Sequence, residues 1–441
     1  MCQLTLYGPV LSFIQDIRDR LSFMKGNLTI LLIRQVIGMF FRRMVLSYAS
    51  LFVLAVGGGS GQIGLINSIR PLAGLVVFPI SGYLTDRVSR VKLIALADFL
   101  RGLTTVIYVL APSWEWIAVG ALIQGFMVFA FPPTSAILAD SMEPKNRGMG
   151  VSIMSGLSNA VSIFSPYIAA TILVMYGDNL GMRILYGFMG AQAFFSAYLI
   201  YTRLEDTTKV QDMGSMPSIA TILRGAYAGL PDLIRKIPLS VKALSMVVLL
   251  GFILNGIASP FWVVYVTEEI GLTKVEWGLI LLYETVMKVL LTVPAGMLVD
   301  NIGRTRTLLF STIVSLISLP SLIFATSFQT VLLIRLGAAI AGASFIPASS
   351  ALMADYTPRE LRGRVMSAVG RGTLLVGATG GGTGGPGLGS LFVIPVMLSS
   401  LAGGVLYTLN PDYPWYAVAT TSILQVLLVI LFIRDPEEAE I

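Results

Sequence analysis

The sequence predicts an all-α membrane protein whose twelve helical crossings form two six-helix bundles related by a pseudo-two-fold axis. Three observations predict it. Of the 441 residues, 55% are hydrophobic and only 12% charged, about half the charged share of a water-soluble domain. Apolar runs of crossing length recur along the whole chain. Two charged strings also appear twice. GYLTDRVSRVK at 82–92 returns as GMLVDNIGRTR at 296–306, so Gly82, Asp86 and Arg90 recur at one constant offset as Gly296, Asp300 and Arg304. Asp140 and Arg147 recur at nearly the same offset as Asp355 and Arg362, each pair enclosing a proline, Pro144 or Pro358. A membrane protein built from such repeats places a solute path between its halves.

The elements follow in order. Residues 1–27 carry Arg18, Arg20 and Lys25 among spaced apolar residues. They lack the apolar core and cleavage site of a signal peptide and read as an amphipathic cytoplasmic lead-in. The first bundle covers 28–202, with spans near 28–55, 62–84, 93–111, 115–140, 149–175 and 184–202. A polar linker, 203–242, follows. The second bundle covers 243–434, with spans near 243–266, 277–298, 308–326, 331–354, 391–408 and 415–433, and 435–441 form a tail. About 20 apolar residues cross the hydrocarbon core as a helix, which satisfies its own backbone there.

Basic residues fix the orientation. Only Arg183 and Lys274 fall in odd-numbered connections; the other loop cations lie in the termini and even-numbered loops, six of them in the linker. Because Lys and Arg stay on the cytoplasmic side, both termini are expected there, in a multi-pass plasma-membrane protein. The net charge of +6 is thus a matter of topology rather than a nucleic-acid footprint. There is one cysteine, Cys2, and no histidine. That excludes a disulfide framework and a Cys/His metal site, and no cofactor is expected.

With these features the chain resembles the major facilitator superfamily of secondary transporters over about 28–434. The loop after span two is similar to the family's G-x-L-x-D-R-x-G-R signature through Gly82, Leu84, Asp86, Arg87 and Arg90, with Ser89 in place of the second glycine. The second copy keeps Gly296, Leu298, Asp300, Gly303 and Arg304, with Asn301 in the first basic position. The resemblance implies that Asp86 meets the start of span eleven and Asp300 the start of span five, latching the inner side. A glycine there permits close helix approach, and a carboxylate suits a helix N-terminus. The strings Asp140 to Arg147 and Asp355 to Arg362 are expected to tie adjacent inner loops together.

Charges inside spans mark functional sites by default. Arg42 and Arg43 sit at mid-span one and point about 100° apart. One or both are expected to bind a solute anion in a central cavity lined by spans one, four, seven and ten. Gln124, Asn255, Trp262, Tyr265 and Arg335 are further candidates to line it. The counterparts of the pair at the offset of the repeat are Gly256 and Ile257, so the symmetric arginine pair of a phosphate-ester exchanger is missing. Arg70 and Glu284 are separated by that same offset and are expected to pair as an outer gate, with Lys288 a competing partner one turn from Glu284. Asp98 and Arg101 are spaced as a local pair. Asp98 and Glu284 are the candidate proton carriers.

Two departures weigh against a drug-antiporter reading. Gln124-Gly125 is present, but Ala121 stands where such antiporters carry an arginine, and their span-five signature is reduced to Gly156 and Ser165-Pro166. Residues 377–390, GATGGGTGGPGLGS, contain eight glycines, too many for a helix at roughly 1 kcal/mol each. They read as a flexible cytoplasmic insertion before span eleven, without the ending of a P-loop. The expectation is a carrier, and no enzyme, moving one small organic solute, an anion by preference, as symporter or antiporter. The alternative is proton-coupled efflux of lipophilic drugs. The expected partners are the solute, a coupling proton or ion and the lipid bilayer, with a monomer as the working unit and no nucleic acid.

Overall fold

The computed structural model describes residues 23–208, 217–358, 361, 365, 368, 369 and 390–435. Most of the expected lead-in and glycine-rich insertion, Arg362, and 436–441 lie outside these. The described residues are helical, without strands. Ten helices among them are long and apolar enough to cross a membrane, eleven when the bent pair Asn27–Leu46 and Ala49–Ala55 counts as one. The molecule is therefore a multi-spanning helical bundle.

Local chemistry sets the helix ends. Ser89 Oγ accepts from Lys92 N at 3.2 Å and starts Arg90–Leu110. Thr273 and Glu276 cap each other at the start of Lys274–Ile302, satisfying donors that the first turn leaves open. Span four runs Trp114–Phe126, tightens to a 3-10 turn at Met127–Ala130, and resumes as Phe131–Asp140. Pro132 and Pro133 sit in that new first turn, where a missing N–H costs little. The helical run Pro144–Arg203 is 60 residues long and breaks at Gly177, with φ 74° and ψ 170°. Only glycine adopts that geometry without strain.

The linker contains two short helices, Ile219–Tyr227 and Leu230–Lys236. The first rests on span two, Ser60–Thr85, which contains Pro71 and Pro79. Pro79 has no N–H, so the carbonyl of Leu75, one turn earlier, loses its intrahelical donor. Tyr227 Oη donates to that carbonyl at 2.5 Å.

Spans two and eight carry the contacts between the early and late helices. Ser60–Thr85 packs on Val393–Leu409, and Lys274–Ile302 packs on Ser165–Arg203. Glycines make both crossings close. A Cβ on Gly64 would lie 2.7 Å from Gly404 Cα and from Ser400 O. One on Gly278 would lie 3.0 Å from Tyr167 Cα and Tyr48 Oη. Gly64 and Gly278 are themselves separated by the offset of the repeated motif. Around them Tyr48 Oη donates to Lys274 O at 3.1 Å, Ser50 Oγ to Pro260 O at 2.6 Å, and Lys274 pairs with Asp178 at 2.6 Å. All of this lies at the end away from the linker. At the linker end, Gly82 and Gly296 have nothing within 4 Å of a would-be Cβ. Each follows its packed counterpart, Gly64 or Gly278, on the same helix face, about five turns and roughly 27 Å further along the axis. Among the described residues, the helix crossings at Gly64 and Gly278 are close, and Gly82 and Gly296 lie at open positions.

Candidate solute path

Two buried carboxylates organise the charges in the spans, each between two cations. Asp98 is fully buried. Arg34 grips it with two hydrogen bonds, Nε to Oδ2 at 2.5 Å and Nη2 to Oδ1 at 2.9 Å, and Arg101 Nη1 reaches Oδ1 at 2.8 Å. Glu284 is 1% exposed. Arg335 Nε donates to its Oε2 at 2.7 Å, with Nη2 on the same oxygen, and Lys288 Nζ reaches Oε1 at 2.5 Å. In each triad one cation comes from the carboxylate's own helix, one turn on, and the other from a neighbouring span. The repeat does not produce this likeness: the counterparts of Arg34 and Asp98 at its offset are Val248 and Thr312. A buried charge must be paired, and each half meets that need separately.

Arg335 is fully buried. Its guanidinium lies 4.5 Å from the Trp262 ring centre and 5.3 Å from that of Trp277, a desolvated cation–π stack. Trp262 also meets Trp415 edge-on at 4.7 Å. Tyr265 is buried and donates to Asp412 at 2.6 Å. Arg335 and Trp262 therefore pack beside Glu284, and Tyr265 packs on Trp415, a correction to the expectation that the three line an open cavity. Asn255 faces a small pocket of about 20 Å³ inside the late helices, with Ser311, Thr312, Ser315, Phe345 and Gln425 on its walls.

The expected Arg70–Glu284 gate is also corrected. Glu284 is held by Arg335 and Lys288, and Arg70 Nη2 donates to Gln124 Oε1 at 2.7 Å. The repeat places positions 70 and 284 at equal depth. Nearer partners on adjacent helices take the charges first.

Arg42 and Arg43 are differently placed. The Arg42 side chain is not covered by protein, and its charged neighbours are Arg101, Arg43, Arg70 and Arg34. Its Nη2 donates to Met39 Sδ at 3.1 Å, a weak acceptor. Arg43 Nη2 donates to Asn159 Oδ1 at 2.9 Å, while its Nη1 is buried without a hydrogen bond. Glu284 and Lys288 of the late helices act electrostatically on Arg43, so this arginine looks across the gap between the halves.

On the linker face the repeated motif forms repeated ion pairs. Arg90 Nη1 meets Asp140 Oδ2 at 2.5 Å, and Arg304 meets Asp355. Arg147 Nη2 donates to Ala139 O at 3.1 Å, and Arg87 lies 3.9 Å from the Tyr83 ring centre. An open groove of about 750 Å³ runs over Asp86, Arg87, Arg90, Asp140, Arg147 and Thr207. The Asp86 side chain is 71% exposed, 4.0 Å from Arg90, and Asp300 is exposed. Among the described residues, no hydrogen bond or ion pair joins Asp86 to span eleven or Asp300 to span five, the latches implied by the resemblance. Asp206, at the start of the linker, is tied to this loop. Burial alone would raise its carboxyl, but hydrogen bonds from Ser89 and Thr208 outweigh burial and hold it below the ordinary aspartate value.

Sequence reasoning missed three things. Arg34 completes the Asp98 triad from another helix, which spacing does not reveal. Gly64 and Gly278 share the offset of the motif, a signal that was readable. Arg183, one of the two outer-side exceptions, ties Val109 O at 2.5 Å and Ala111 O at 2.6 Å, while Lys274, the other, bridges the halves.

The family model for the Major Facilitator Superfamily matches residues 31–258 and 244–440. The chain is 22% identical over 401 residues to an uncharacterized MFS-type transporter of Methanocaldococcus jannaschii, covering 88% of this chain and 90% of that protein. It is 27% identical over 341 residues to the multidrug resistance protein MdtG of Serratia proteamaculans, covering 74% and 78%. Among solved structures, a variant of the nucleoside transporter NupG matches with a TM-score of 0.69 at 14% identity, covering 92% of this chain and 99% of the other. A bacterial homologue of the iron transporter ferroportin in an inward-facing state matches at 0.67 and 15%, covering 92% and 98%.

Proposed function

Since the chain belongs to the Major Facilitator Superfamily, a family of non-catalytic secondary transporters that move small solutes across the bilayer by alternating access, we propose that it is an exporter of small lipophilic compounds. The single observation that carries the transport cycle is the state of the four repeated glycines. Gly64 and Gly278 are packed against the opposing half, while Gly82 and Gly296 are open. Rocking the halves would exchange the two conditions and move a bound solute's exit from one face to the other. The efflux reading is supported by relatives named multidrug resistance protein MdtG and multi-drug resistance efflux pump PmrA. They favour the alternative raised from the sequence over its main reading.

The same proposal takes the break at Gly177 as the turn between two crossings, which brings the count to twelve. Two six-helix bundles, 28–202 and 243–434, then flank the 203–242 linker, with that linker and both termini in the cytoplasm. The working unit is a monomer. Coupling is to a proton or ion gradient, sensed at Asp98 or Glu284, where a bound proton would release two cations at once.

Purified protein in proteoliposomes, loaded in turn with each of a panel of lipophilic probes (anionic, neutral and cationic) and diluted into a tracer amount of the same labelled probe, tests the reading. Saturable counterflow is expected. Flux that grows linearly with concentration, or none with any of the probes, would contradict it.

A further inference from the structure

In the interior of the early spans, away from their ends, the described cations are Arg34, Arg42, Arg43, Arg70 and Arg101, against one carboxylate, Asp98. Asp98 is already shared by Arg34 and Arg101. Among the described residues, neither Arg42 nor Arg43 has a carboxylate within ion-pair distance: their hydrogen bonds go to the Met39 thioether and the neutral Asn159 amide. The half opposite supplies no carboxylate within ion-pair distance either, although Glu284 acts on Arg43 from further off. Glu284 is neutralised by Arg335 and Lys288, and that triad carries a net positive charge.

Two adjacent arginines at mid-span are costly, at roughly 2.5–3.5 kcal/mol each on insertion scales. Hydration between the halves would meet part of that cost. It does not explain why both cations lack a carboxylate when every other buried charge of the two triads has one. Nη1 of Arg43 is a buried donor without a partner, and Arg42 rests on one of the weakest acceptors a protein offers. Guanidinium groups match the planar, delocalised oxygens of carboxylate, sulfonate and phosphate. Next to them Phe40 and Phe41 meet edge-on at 5.3 Å, and Phe41 stacks on Phe188 at 6.1 Å, an apolar wall beside the charge.

We propose that the exported compounds are amphipathic organic anions, whose oxyanion head group is bound by Arg42 and by Nη1 of Arg43 while the apolar body lies against the aromatic side chains beside them. This rests on the transport reading above and narrows its substrate class.

The test uses one matched pair of probes, dansylglycine and its neutral amide, in counterflow with proteoliposomes of phosphatidylcholine, and rhodamine 6G as a third, cationic probe. The acid is expected to exchange at least about tenfold faster than the amide. Arg42→Gln and Arg43→Gln should bring that ratio toward one, while Arg42→Lys and Arg43→Lys, which keep the charge, should retain most of it. Size-exclusion profiles and thermal unfolding check that each variant is folded. Equal flux of acid and amide in the native protein overturns the proposal, as does a ratio that survives in both glutamine variants. If rhodamine 6G exchanges and the acid does not, the transport reading stands and the anion proposal falls. If no probe exchanges, both fall. Repeating the assay with phosphatidylglycerol separates a free anion from a lipid head group. A preference unchanged by the lipid supports the proposal, and one abolished by it assigns the arginines to lipid and overturns it.

Discussion

Gly64 and Gly404 cross with their backbones in contact, so close that a methyl group on Gly64 would stand 2.7 Å from the Cα of Gly404. A methyl group on Gly82, on the same face of the same helix, would meet nothing within 4 Å. A Leu at either position should therefore act in opposite directions. Overpacking a close contact costs about 1–3 kcal/mol. With Ser400→Cys in a Cys2→Ser background, Gly64→Leu should raise labelling by an impermeant maleimide added outside by roughly tenfold. Gly82→Leu should not raise it. Protection of position 400 in the Gly64→Leu variant would show that this crossing is not the outer seal.

Arg335 and Glu284 form a buried charge contact between two spans of the late half. Glu284→Gln leaves Arg335 buried beside Lys288 without a counter-charge, and removing one partner of a buried pair costs roughly 3–5 kcal/mol. Thermal unfolding in detergent should show a large loss for Glu284→Gln and for Arg335→Gln. Glu284→Gln with Arg335→Met should lose less than the sum, because the stranded charge is gone. Additive losses would mean the two residues act independently.

The bond from Tyr227 to Leu75 exists because Pro79 frees that carbonyl. Tyr227→Phe should loosen the linker helix by about 1 kcal/mol, read as faster hydrogen exchange across 219–227. In a Pro79→Ala background the helix supplies its own donor, so Tyr227→Phe should then change little. An effect of equal size in both backgrounds would reject the link.

Asp206 has a depressed carboxyl pKa in the folded protein. Its contribution is complete above the ordinary aspartate value, about 3.9, and is lost as pH falls through the lower folded value. Protection of the 86–92 loop, corrected for intrinsic exchange, should therefore be flat from pH 7 to pH 5, whereas Asp206→Asn should lose protection already at pH 7. Native-like protection in that variant would remove the carboxylate from the loop's support.

Much of the architecture was readable because hydrocarbon imposes long apolar helices and the chain repeats itself. The Arg90–Asp140 and Arg304–Asp355 pairs join residues that the repeat had already singled out. The site was harder. Spacing showed Asp98 beside Arg101, but not Arg34, which arrives from span one. The repeat suggested Arg70 for Glu284, yet an ion pair forms with the cation that packing brings closest, here Arg335 between two tryptophans. Gly64 and Gly278 carried the same offset as the motif but are two of 44 glycines, and only the close helix crossing distinguishes them.

The most direct test of the rocking mechanism is a pair of distances in one preparation, measured between spin labels across the Gly64–Gly404 seam and across the linker-side opening beside Gly82 and Gly296. On adding a transported solute, the linker-side distance should shorten as the opposite one lengthens. If both distances stay fixed, or lengthen together, while the same protein carries out counterflow, alternation about the two glycine pairs is wrong.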